Sequence, residues 1–217
     1  MRARILSLVI LLVACLATNV AHAMQDDVDQ ALTILERFQG IPETSIPPAV
    51  MRDAKGLAIL TVTKAGFIFS LRGGTGIVVA RTENGWSGPS GIGTGGIGFG
   101  FQAGAQVSEF VIVLNTNEAV SAFSKGGNVT LGGSLSVAAG PGGRTIEAGV
   151  AINAAMYSYS LSQGVFAGVS LEATVIGTRD EANEEYYGKP VKAKDILTGK
   201  VMPPDGAQKL LQELSKY

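Results

Sequence analysis

The chain has 217 residues, a formal net charge of −1 and only 16% charged residues, with 29 glycines, one cysteine and one histidine. That length suits one domain with a sizeable core, and the low charge argues against disorder. The near-neutral balance gives no electrostatic footprint for nucleic acid, and abundant glycine without a collagen period points to turns and close-packed strands.

Met1–Arg4 carries two arginines, Ile5–Ala17 is apolar, and Ala21-His22-Ala23 offers a small-x-small cleavage site. This is the layout of a secretory signal peptide, and it predicts a leader over 1–23 and a domain over 24–217. Leu12-Val13-Ala14-Cys15 resembles a lipoprotein box, so acylation of Cys15 stands as the alternative route to a membrane anchor. The apolar run continues past Cys15, which favours cleavage after Ala23. Either way the chain is expected to be exported, to the periplasm or the extracellular space. Cleavage after Ala23 removes both Cys15 and His22. The mature chain then has no thiol nucleophile, imidazole base, disulfide or His/Cys metal site, so neither enzyme chemistry nor a cofactor is expected.

Asp26–Gln39 places Val28, Ala31, Leu32, Leu35 and Phe38 at helical spacing, with three aspartates at its start and Gly40 at its end. Its polar face holds only Arg37 as a cation, so docking on a sheet is favoured over lying on a membrane. Ile46-Pro47-Pro48 breaks the chain before a short helix over Ala49–Ala54. Three apolar runs follow, Leu57–Val62, Gly66–Leu71 and Gly76–Ala80. Their β-branched content predicts a three-stranded meander that reverses at Gly73-Gly74. Asn84-Gly85 signals a hairpin leading into Trp86, which is expected to be a packing residue.

Gly85–Ser108 has no charged residue. Its Gly93-x-Gly95-x-x-Gly98 formally matches a dinucleotide fingerprint, but Gly98-Phe99-Gly100-Phe101 alternates like a strand where that fingerprint needs a helix. Gln106–Leu114 reads as a strand and Glu118–Ser124 as a helix closed by Lys125-Gly126-Gly127. Asn128-Val129-Thr130 is a glycosylation sequon, and Val129–Ala138 alternates as a strand. Gly140–Gly143 is a turn which, with Arg144, has the chemistry to hold a phosphate. Ala148–Leu171 predicts two paired strands broken at Gly164, and Glu172–Gly177 continues the second. Asp180–Tyr187, Ala193–Leu197 and Gly206–Lys216 close the chain as helices. Together these predict a single α+β domain: a large, mostly antiparallel, glycine-rich twisted sheet with short helices at both chain ends.

Several blocks, in order, resemble the SYLF-domain family of lipid-binding proteins. They are AKGLAILTV (Ala54–Val62), KAGF (Lys64–Phe67), RGGTGIVVAR (Arg72–Arg81), GWSGPSGI (Gly85–Ile92), EFVIVLNT (Glu109–Thr116), TLGGSLSVAAGPGGR (Thr130–Arg144), YSYSLSQGVFAGVSLE (Tyr157–Glu172) and YYG (Tyr186–Gly188). The resemblance implies binding of anionic phospholipid, phosphoinositide in eukaryotic relatives, where the domain accompanies Src-homology-3 or FYVE modules. Some of those relatives also bundle actin, a partner that an exported chain is not expected to meet. Independently, cations recur at strand ends: Lys55, Lys64, Arg72, Arg81, Arg144, Lys189, Lys192 and Lys194. Gathered on one rim they would meet an anionic surface; as ordinary edge charges they would block aggregation. The alternative is an envelope assembly protein acting through protein contacts, including self-association as a homo-oligomer. Glu109, Glu147 and Glu172 lie among apolar strand residues and are expected to pair structurally with arginine.

Overall fold

The computed structural model describes residues 24–41, 45–125, 129–130, 137–139 and 154–217. The three apolar runs expected as a meander form one continuous strand, β1, Gly56–Thr82. Twenty-seven residues of straight strand would extend about 90 Å, far beyond a domain of this size, so the strand has to bend.

It doubles back on itself. The Arg81 amide donates to the Lys55 carbonyl at 2.8 Å, joining its two ends. A Cβ on Gly76 would lie 2.5 Å from the Leu60 Cα, one on Gly74 2.9 Å from the Val62 Cα, and one on Gly66 2.4 Å from the Ser70 Cα. These approaches set the two limbs side by side and antiparallel, with the reversal at 67–69. Gly73-Gly74 is therefore not the turn. Those glycines lie inside the returning limb, where Gly74 lets two backbones come together.

Strand β2 (Gly85–Trp86) returns on Arg81–Thr82, with Gly85 at φ 107° completing the expected Asn84-Gly85 hairpin. Strand β3 (Ser90–Leu114) pairs with β1 from Gly56↔Leu114 to Val78↔Ser90, with an irregularity at Phe67/Phe69. Residues 93–98 are inside this strand, so the glycine fingerprint has no helix to follow it. Strand β6 (Met156–Thr178) follows β3 from Leu114↔Met156 to Ile92↔Thr178. Gly164 does not break it; it pairs with Gln106. Short β4 (Val129–Thr130) pairs antiparallel and β5 (Val137–Ala139) parallel with β6. The sheet order is β2-β1-β3-β6-β4, with β5 also on β6.

Among the described residues, six helices cover the end of this ribbon away from the reversal. They are α1 (Met24–Gly40), α2 (Pro48–Asp53), α3 (Asn117–Ser124), α4 (Asp180–Tyr187), α5 (Ala193–Leu197) and α6 (Gln208–Leu214), the last entered through a 3-10 turn at Asp205–Ala207. Thr116 caps α3 by accepting from the Ala119 amide, and Gly188 at φ 65° ends α4.

Side-chain alternation divides the core in two. Leu57, Ile59, Ile77, Val79, Val111, Val113 and Tyr159, all odd-numbered, pack under Val28, Ala31, Ile34, Leu35 and Phe38 of α1 and Leu210 and Leu214 of α6. Even-numbered Ala58, Leu60, Val62, Val78, Ala80, Ile112 and Leu114 pack against Ala119 and Phe123 of α3 and Leu197 of α5. Helix α1 is thus docked through its apolar face, as its single cation predicted. At this root the ribbon is buried on both faces. Among the described residues no helix is long and apolar enough to cross a membrane.

The leader with Cys15, the Asn128 of the sequon, the 140–143 turn, Arg144 and Glu147 lie outside the described residues.

Candidate functional site

The expected cations divide between the two ends of the ribbon. Lys64 and Arg72 stand opposite one another on the two limbs of β1, in the register that sets Gly66 against Ser70 and Gly74 against Val62. Each is four residues from Ile68 at the reversal. Lys55 and Arg81 are at the root, joined through their backbones. The Arg81 guanidinium lies 4.2 Å from the Trp86 ring centre and donates to the Met51 and Arg52 carbonyls. Burial lowers its pKa, and these contacts make it a packing group. Lys189, Lys192 and Lys194 are exposed around the start of α5, whose far end brings Gly199 against Thr82 at the root. Ten residues of strand separate root from reversal, about 30 Å. The cations therefore do not form one rim.

Only Lys64 and Arg72 accompany a second unusual feature. Phe67, Phe69 and Ile97 are 73%, 70% and 71% exposed, and Leu71 and Val107 are exposed beside them. All five are odd-numbered and share the face that α1 covers at the root. Leu71 pairs directly with Ile97. Helix α1 does not extend over this part of the ribbon, so the face that forms the core at one end is bare and apolar at the other. Hydrophobic periodicity did not reveal this, because Phe-Ile-Phe between Gly66 and Ser70 reads as a buried strand.

Between the bare face and α1 lies a groove of about 730 Å³, lined by Asp27, Ala31 and Ile34 of α1 and by Thr61, Leu71 and Arg72 of β1, among others. Two carboxylates line it, Asp26 and Asp27, and Asp27 accepts from Arg179 at 2.5 Å and from the Thr75 hydroxyl at 2.6 Å. Glu109, the strand carboxylate read as a structural partner for arginine, accepts from Arg37 at 2.5 and 2.6 Å. Among the described residues no cluster of three or more His, Cys, Asp or Glu is placed to hold a metal.

A family profile described as "Ysc84: Las17-binding protein actin regulator" matches residues 95–217. This chain belongs to the Ysc84 family. The SYLF resemblance and the Ysc84 match are one and the same family. The Ysc84 domain is 47% identical to SH3 domain-containing YSC84-like protein 1 of Homo sapiens over 202 residues, 89% of this chain and 59% of that protein. It is 50% identical to SH3 domain-containing protein PJ696.02 of Schizosaccharomyces pombe over 175 residues, 78% of this chain and 41% of the relative. LAS seventeen-binding protein 3 of Saccharomyces cerevisiae is 48% identical over 174 residues, covering 78% and 38% of the two chains. The chain thus spans well under two thirds of these Ysc84 relatives' own lengths.

Proposed function

We propose that this Ysc84 domain is a non-enzymatic module that binds anionic phospholipid at a membrane surface, with Lys64 and Arg72 as the contacting cations. What carries the reading is their cross-strand pairing four residues back from the reversal, with Arg72 on the groove beside α1. The paired 94–106 stretch of β3 is uncharged, and Asp26 and Asp27 of α1 line the groove beside Arg72. Each basic side chain near an anionic leaflet contributes about 1 kcal/mol, within a Debye length of about 8 Å at physiological salt. Arginine adds a fork suited to phosphate oxygens. With the leader of residues 1–23, the surface would be an envelope membrane, reached after export or through an acylated Cys15.

The family's description speaks of an actin regulator that binds Las17, and the yeast relative is named for Las17 binding. Export would separate this chain from cytoplasmic actin, so co-sedimentation with filaments at physiological salt is expected to fail. The lipid reading is tested by flotation with vesicles of graded anionic content and salt. Binding should rise with anionic lipid, fall with salt, and drop at least tenfold in Lys64→Glu/Arg72→Glu. Equal flotation of wild type and that variant would overturn the role of the pair. No flotation at any composition would overturn lipid binding and leave envelope assembly as the reading.

A further inference from the structure

The geometry points to direct insertion of the β1 reversal into the hydrocarbon boundary of the bilayer, with Phe67 and Phe69 as the penetrating groups; this rests on the lipid-surface reading. Isolated exposed apolar residues are ordinary, but here consecutive outward positions Phe67, Phe69 and Leu71 adjoin Ile97, which pairs with Leu71, in one exposed patch. The patch is at the extremity of the longest element, on the face that α1 covers only at the root.

The positions of the cations select a bilayer as its occupant. Lys64 and Arg72 are each four residues from Ile68, about 13 Å of strand. When a membrane-surface segment buries its apolar side about 5–10 Å into the headgroup boundary, charges that far back along both limbs sit among the phosphates. Aromatic rings are favoured at that depth.

The chain's single tryptophan, Trp86, is at the root and gives an internal control. Phe67→Trp is conservative in size and exposed, so it reports without disturbing the core. With vesicles of anionic lipid whose acyl chains carry bromine, Phe67→Trp should lose roughly the half of its fluorescence that the new ring contributes, while wild type is unquenched. In parallel, Phe67→Ser/Phe69→Ser should retain the wild-type circular dichroism and lose about tenfold in vesicle affinity, most visibly at high salt. Flotation of Phe67→Trp without quenching would overturn insertion and leave surface binding standing. Absence of both flotation and quenching would overturn the two together. Unchanged affinity of the double serine variant would overturn the role of the rings. A lipid-free dimer that dissociates in that variant would assign the patch to self-association instead.

Discussion

The Nη1 of Arg37 donates to both carboxylate oxygens of Glu109, at 2.5 and 2.6 Å, and so ties the docked helix α1 to the C-terminal part of β3. Gln30 supports the same carboxylate at 3.4 Å. Glu109 is buried, whereas the Arg37 side chain is 37% exposed, so solvent softens the loss when one partner is removed. Glu109→Gln should lower folding stability by roughly 1–2 kcal/mol. A urea denaturation midpoint that does not move would show that α1 is held by its apolar face alone.

Gly76 tests the doubling of β1. An added methyl would meet the Ile59 carbonyl oxygen at 2.1 Å and the Leu60 Cβ at 2.6 Å, both on the facing limb. Gly76→Ala should therefore destabilise by about 1–3 kcal/mol, the usual cost of overpacking. Gly73, three residues away, has nothing within 4 Å of such a methyl. Gly73→Ala should stay within about 0.5 kcal/mol of wild type. Equal stability of the two variants would contradict the limb-to-limb contact.

Glu213 predicts a specific acid sensitivity. Its carboxylate accepts from Lys216 at 2.5 Å and from Gln39 at 3.0 Å, and those hydrogen bonds, the Lys216 one foremost, lower its pKa against the opposing effect of burial. A depressed folded-state pKa means the unfolded chain takes up the proton first. The contribution is fully present above the ordinary glutamate value of about 4.3 and is lost as pH falls through the lower folded value. Glu213→Gln should flatten the fall of stability with pH in that window. A pH profile parallel to wild type would remove Glu213 from the account.

Trp86 ties the hairpin of β2 to the last helix. Its indole nitrogen donates to the Leu214 carbonyl at 2.9 Å while Arg81 lies over the ring. Trp86→Phe keeps an aromatic surface but removes the donor, for an expected loss of about 1 kcal/mol. Amide exchange should accelerate first in Gln208–Leu214. Uniform acceleration across the sheet would mean that α6 is not an independently opening unit.

The helices were legible because each carries local signals of its own. Three aspartates opening α1 and its apolar positions at helical spacing sufficed, as did the acidic start of α4. Asn84-Gly85 specified its turn through the positive φ that Gly85 adopts. The path of β1 was not legible, for two physical reasons. Gly73-Gly74 has turn composition, yet Gly74 serves the close approach of two limbs, a need no local pattern encodes. The real reversal is made of Phe-Ile-Phe, whose composition specifies a strand and is silent about whether anything covers it. The cations misled for a related reason: run ends that alternate along the sequence fall at opposite ends of a doubled strand. Glu109 was legible as a carboxylate that arginine would neutralise, but not that Arg37 would come from the first helix.

The doubling of β1 also orders how the chain can assemble. Its limbs are joined by a reversal of three residues, a short and inexpensive loop closure, whereas β6 can zip onto β3 only after the whole 115–155 segment has been looped out. The innermost hairpin can therefore template β3, and β3 in turn templates β6. Until that last strand arrives, β3 presents an open edge about 25 residues long beside an uncovered apolar face. The period between the second and third strands is when the chain is most exposed to pairing with a neighbour, and a holdase that shields β3 would be most valuable then.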